Sequence, residues 1–126
     1  MYSKFQNKFL TADNKKRAFI NAQKIKTLWF NTGTLCNLAC KGCYIDSSPK
    51  NDRLAYLSFN EFKSFVNESI QNKMGTEQIG FTGGEPFMNR DIFKMIKYSL
   101  ENGFKTLVLT NAMKPMLNNK NELFRL

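Results

Sequence analysis

The sequence predicts an α/β fold with a parallel sheet, and three observations predict it. Short β-branched or aromatic runs alternate with longer amphipathic ones, in the order strand, helix, strand, helix, strand. Each crossover is long enough to bring the chain back for parallel pairing. The residues just past each short run are thiols, glycines or turn formers, at the strand ends where α/β folds place their sites.

The chain has 126 residues, 42% of them apolar and twelve of them Phe, which is enough for one hydrophobic core and argues against both global disorder and two independent domains. Residues 1–26 form a basic extension in which Lys4, Lys8, Lys15, Lys16, Arg17, Lys24 and Lys26 face the single acid Asp13. Most of the +9 formal charge therefore sits in this leader, a solvated face or a dock for an acidic partner, and the mildly basic remainder weighs against nucleic acid. Asp13 as a cap predicts a short helix over residues 14–24, with Ala18, Phe19, Ala22 and Ile25 on one side.

Residues 27–126 read as one folding unit. Thr27 to Asn31 is the first strand, Gly33 closes it, and the cysteines follow on a loop that turns polar over residues 46–53. Ser58 and Glu61 form a capping box for a helix over about residues 59–74, with Phe59, Phe62, Phe65, Val66, Ile70 and Met74 at helical spacing and Gly75 as the stop. Gln78 to Phe81 is the second strand, broken by Gly83 and Gly84. A second helix over about Arg90 to Asn102 turns Ile92, Phe93, Ile96 and Leu100 inward, Lys94 and Lys97 outward, and stops at Gly103. Lys105 to Leu109 is a third strand ending at Thr110 and Asn111, and the last ten residues begin a third helix.

No apolar run approaches the length of a membrane span, and the N-terminus lacks the apolar core of a secretory signal. A cytoplasmic protein with no membrane partner is the expectation. All three cysteines fall within eight residues, an odd number that suits no disulfide framework and, in a reducing compartment, suggests a metal.

Cys36, Cys40 and Cys43 have the spacing C-x3-C-x2-C, and the chain holds no fourth Cys and no His. A closed structural zinc site and an electron-transfer cluster each normally take four ligands. Three thiolates fit best a 4Fe-4S cubane with one iron left open. Zinc with Asp46 or water as a fourth ligand, and three cysteines packed simply as small apolar groups, are the alternatives.

This loop after a first strand, followed by Gly83-Gly84-Glu85-Pro86 after a second, resembles the radical S-adenosylmethionine (radical SAM) superfamily over roughly residues 27–112. The resemblance implies the N-terminal portion of a partial (β/α) barrel with about three βα units. It implies iron ligation by Cys36, Cys40 and Cys43, S-adenosyl-L-methionine on the open iron, and reductive cleavage to a 5'-deoxyadenosyl radical that takes hydrogen from a substrate. It also implies an electron donor such as flavodoxin or ferredoxin. Gly83, Gly84, Glu85 and Pro86 are expected along the methionine end of the cofactor, where carbonyls or the Glu85 carboxylate accept from its amine. As an alternative, the same four residues make a strand-to-helix turn. The residue before the third cysteine is often aromatic in the family, near the adenine; here it is Gly42, with Tyr44 just after, so the resemblance implies adenine packing by Gly42 backbone or packing that differs in detail, with Gly42 and Tyr44 both among the expected cofactor-binding residues. Asn111, with Thr110, lines the pocket or simply turns the chain.

No side chain is nominated as catalytic, because radical chemistry relies on the cofactor more than on acid and base groups. The motifs look most like the branch with molybdenum-cofactor enzymes and peptide-modifying maturases, which points to a peptide or small-molecule substrate. A complete barrel needs about 250 residues. The expectation is therefore a truncated core domain, a fragment, or half of a split enzyme completed by a separate C-terminal half. Two readings of other classes stand beside this one: a non-catalytic iron-sulfur or zinc module, and a basic interaction protein with incidental cysteines.

Overall fold

The structure is a computed structural model that describes residues 7–21 and 23–126. Three strands, β1 (Thr27–Asn31), β2 (Gln78–Thr82) and β3 (Lys105–Val108), form one sheet in the order β1-β2-β3, with both pairings parallel. The crossovers are α1 (Phe59–Gln71) and α2 (Ile92–Glu101). A 3-10 turn, Pro86–Met88, precedes α2, and the expected last helix forms as two short ones, α3 (Lys114–Leu117) and α4 (Lys120–Leu123). The α/β class and its parallel sheet are thus as the sequence predicts.

The register pairs Phe30 with Phe81 and Phe81 with Val108, while Trp29 pairs with Gly80 and Gly80 with Leu107. Because strand side chains alternate, one face gathers Phe30, Ile79 and Phe81 beneath the helices. Phe62 of α1 is fully buried there, its ring edge-on to Phe30 at 4.7 Å and 5.5 Å from Phe81. Val66, Ile92, Met95 and Ile96 complete this core. On the opposite face Trp29 remains 49% exposed, its indole lying across Gly80, where a β-carbon would collide with the ring. Only a glycine permits that close approach.

Helix α1 begins where Ser58 accepts from the Glu61 amide at 3.3 Å and Glu61 accepts from the Ser58 amide at 2.9 Å, the expected capping box. Its inward stripe is Phe62, Val66 and Ser69. Phe65 and Ile70 are exposed instead of buried, as is Leu100 on α2, because the stripe facing the sheet is narrower than the apolar pattern. The third inward place goes to Ser69, whose hydroxyl bonds Thr76 at 2.6 Å. Asp91 at the start of α2 accepts from the Phe59 amide at 3.2 Å and pairs with Lys94 at 2.7 Å. The Lys94 hydrogen bond, then the Phe59 amide, hold its carboxyl below the usual range. A depressed carboxylate contributes stability at neutral pH that is lost as the pH falls through its folded value.

The leader departs from expectation. Residues 14–24 form no helix among the described residues; Ala22 lies outside them. A turn stands there instead, with Thr11 donating to Lys15 O at 2.8 Å, Arg17 to Phe9 O at 2.8 Å, and Asn14 in the left-handed region at φ 57°. Phe19 and Ile20 are 79% and 95% exposed. So short a helix is marginal in water without an apolar surface to cover, and Phe19 and Ile20 lie mostly in solvent. The leader joins the body further on, where Ile25 donates to Met74 O and Lys24 pairs with Glu77.

Phe62→Ala should remove the contact shared by α1 and the sheet and cost about 3–5 kcal/mol in urea unfolding, a large-to-small loss with little room for collapse. A loss under about 1 kcal/mol would show that the core can close over the gap.

Candidate metal and cofactor site

The C-terminal ends of all three strands meet along one edge, and backbone hydrogen bonds stitch them together. Thr32 donates to Thr82 O at 2.8 Å, Gly84 to Gly33 O at 2.8 Å, Glu85 to Leu35 O at 3.0 Å, and Leu109 to Phe81 O at 2.9 Å. The two segments after β1 and β2 run so close that side chains have no space between them. A β-carbon at Gly83, where φ is 131°, would sit 2.6 Å from Gly33 O, and one at Gly84 would collide with the Leu35 carbonyl. The glycine pair thus lets the chain after β2 seat against the segment that leads into the cysteines.

Glu85 is 1% exposed. Its Oε1 accepts from the Phe87 amide at 3.1 Å and the Thr110 hydroxyl at 2.8 Å, and its Oε2 accepts from the Asn111 amide at 2.8 Å. A buried carboxylate needs such donors. This one uses them to tie the end of β2 to the end of β3. Pro86, also buried, opens the 3-10 turn. Asn89 at the end of that turn is buried and donates to Thr32 O at 3.2 Å and Leu57 O at 2.9 Å, fixing the approach to α2. Nothing in the sequence set Asn89 apart from an ordinary turn former.

The cysteine loop leaves β1 and is pinned by Cys36 donating to Ser48 O at 3.2 Å. Its turn is closed by Cys43 donating to Cys40 O at 3.2 Å and by Asp46 donating to Cys43 O at 3.1 Å. All three cysteines are free thiols: Cys36 buried, Cys40 exposed, Cys43 between the two. Among the described residues, no group of three or more His, Cys, Asp or Glu side chains gathers tightly enough to hold a metal ion. The Cys36 sulfur accepts from the Leu38 amide at 3.4 Å and from Asn111 Nδ2 at 3.6 Å. The backbone amides of Ile45 and then Ser47 push the Cys43 thiol below its ordinary value, helped by the Ser47 hydroxyl and opposed by burial and Asp46. That hydroxyl is itself buried with no conventional hydrogen-bond partner among the described residues.

The fit to an iron-sulfur cluster follows from these observations. The Cys36 sulfur receives N–H groups, as thiolate ligands do, and Ser47 holds an unpartnered buried hydroxyl beside Cys43. The donor set is sulfur only and one short of closure, which suits a cluster with an open iron. Gly42, at φ 81°, has no atom within 4 Å of where a β-carbon would stand, so its backbone faces open space. Tyr44 is largely exposed, and its hydroxyl meets Thr82 Oγ1 at 3.0 Å at the tip of β2. The structure therefore brings Cys36, Tyr44, Gly83, Gly84, Glu85, Pro86 and Asn111 to one edge, with Cys40, Gly42 and Cys43 on the loop above it. Thr32, Ser47 and Asn37 belong to the same edge and carry no sequence signal beyond proximity to the motif.

The site is a three-thiol loop at the carboxyl edge of a parallel α/β sheet, and the comparisons identify the family. The family model of the radical SAM superfamily matches residues 30–125, past the segment that the motifs alone delimit. The chain belongs to the radical SAM superfamily. It is 33% identical over 85 residues to an S-adenosylmethionine-dependent nucleotide dehydratase of Selenomonas ruminantium, covering 68% of this chain and 29% of that protein. It is 36% identical over 77 residues to the antilisterial bacteriocin subtilosin biosynthesis protein AlbA of Bacillus subtilis (strain 168), covering 61% of this chain and 16% of that one. A GTP 3',8-cyclase of Pasteurella multocida is 32% identical over 78 residues, covering 60% and 23%. The chain thus spans less than a third of the length of these relatives, whose names agree on no single substrate.

Glu85→Gln should cost about 1–3 kcal/mol in chemical denaturation, because either placement of the new NH2 group opposes a donor that the carboxylate now accepts. An unchanged unfolding midpoint would mean that the carboxylate does not tie β2 to β3.

Proposed function

We propose that this chain is the cluster-binding part of an enzyme that uses a 4Fe-4S cluster and S-adenosyl-L-methionine to start radical chemistry on a peptide or small-molecule substrate. The observation that carries the reading is the sulfur-only set of Cys36, Cys40 and Cys43, one ligand short of closure, on a loop laced to the Gly83-Gly84-Glu85 segment. When bound, the pair supplies one-electron reductive cleavage to methionine and a 5'-deoxyadenosyl radical, which removes a hydrogen atom from the substrate.

The chain's own residues hold and orient. Cys36, Cys40 and Cys43 would hold the cluster through their sulfurs. Backbone carbonyls along Gly83 and Gly84 would accept from the cofactor's amine, since the Glu85 carboxylate is already engaged by Phe87, Thr110 and Asn111. The open backbone at Gly42 and the ring of Tyr44 would lie towards the adenine, with Pro86 and Asn111 along the same edge. The electron arrives from a donor such as flavodoxin or ferredoxin in the cytoplasm. Further strands, in the same polypeptide or in a separate C-terminal half, supply the rest of the substrate pocket. Among the described residues no helix is long and apolar enough to cross a membrane.

Anaerobic reconstitution of the protein carrying this chain should give a four-iron cluster, and reduction with S-adenosyl-L-methionine should release 5'-deoxyadenosine. Cys36→Ala, Cys40→Ala and Cys43→Ala should each lose the cluster, read as iron and sulfide per chain. A full four-iron complement in any of the three would sink the ligand assignment, and a stable cluster with no 5'-deoxyadenosine would favour an electron-carrying module.

A further inference from the structure

The side chain of Asn111 is aimed with more care than a turn former requires. Its backbone amide is fixed on Glu85 Oε2 at 2.8 Å, and its Oδ1 accepts from the Met113 amide at 3.0 Å. That second bond sets the orientation of the amide, so Nδ2 must face the cysteine loop. There it donates to Asn37 Oδ1 at 3.0 Å and to Cys36 Sγ at 3.6 Å, an ordinary N–H···S separation given sulfur's larger radius. The donor comes from the end of β3, some seventy-five residues along the chain from the thiol it meets. The other donor on that sulfur, the Leu38 amide, is local to the loop.

We infer that Asn111 is a positioning residue that sets the reduction potential of the cluster held by Cys36, through a hydrogen bond to the ligating sulfur. The inference rests on the cluster assignment proposed above. An N–H group directed at a thiolate ligand stabilises the more negative, reduced state more than the oxidised one, so it raises the potential. The step it governs is the uptake of one electron from a one-electron donor protein; no bond or proton changes at Asn111. Glu85 contributes indirectly, since it holds the Asn111 backbone from which the amide is aimed.

The test is a redox titration of the reconstituted protein carrying this chain, followed by electron paramagnetic resonance without S-adenosyl-L-methionine, on the wild type, Asn111→Leu and Asn111→Asp. Leu removes the donor at similar volume, and Asp keeps the acceptor for Met113 but places a negative oxygen where the donor stood. With iron and sulfide content unchanged, the Leu protein should show a midpoint more negative by about tenfold in the oxidised-to-reduced equilibrium, about 59 mV for one electron. The Asp protein should lie further negative still. Midpoints equal to wild type in loaded variants would overturn the inference while leaving the cluster assignment intact. Loss of the cluster from both variants beside a loaded wild type would overturn it in favour of a purely structural role. A wild type that takes up no iron would overturn the cluster assignment and this inference together.

Discussion

The arrangement of this molecule depends on the buried carboxylate of Glu85. A charged group this far from water is tolerated only when its oxygens find donors, and the donors it finds come from two other parts of the chain. The 3-10 turn gives Phe87 N–H, and the end of β3 gives the Thr110 hydroxyl and the Asn111 amide. The carboxylate thereby fixes the distance between the ends of β2 and β3. Its own backbone amide, donating to Leu35 O, fixes the end of β1 against the same point. Three strand ends converge because one anion demands it.

The glycines on either side of that anion serve the same convergence. With a β-carbon at Gly83 or Gly84, the segment after β2 could not lie against Gly33, Thr34 and Leu35, and the loop carrying the cysteines would stand off from the sheet. The proximity then propagates outward. Asn111, held by Glu85, reaches Cys36, and Thr82 at the tip of β2 reaches Tyr44. A site of this kind is preorganised by backbone contacts and needs few dedicated side chains, which suits chemistry supplied by a cofactor.

Membership in the radical SAM superfamily sits comfortably with this architecture. The helices cover one face of the sheet, while Trp29, Leu107 and Leu109 stand partly exposed on the other. Thus the face of the sheet turned away from the helices carries partly exposed apolar side chains. The relatives that share this segment include a nucleotide dehydratase, a bacteriocin biosynthesis protein and a GTP cyclase, and their names agree on no single substrate.

The sequence by itself determined the strand and helix order, the capping box at Ser58, the three-thiol loop and its place after β1. All of these rest on local pattern: alternation, helical spacing, and residue types whose chemistry is visible without neighbours. It did not determine the leader, where Asp13 and a few apolar residues look like a helix but Phe19 and Ile20 stand exposed, nor that Phe65, Ile70 and Leu100 would be left out of the core. Nor did it reveal that Glu85 faces inward, that Asn89 and Ser47 are buried, or that Asn111 meets Cys36. Those depend on which strand ends become neighbours, and a hydrogen bond between residues seventy-five positions apart leaves no mark in local spacing. The tertiary structure decided them because the parallel register and a buried charge leave the three strand ends only one way to meet.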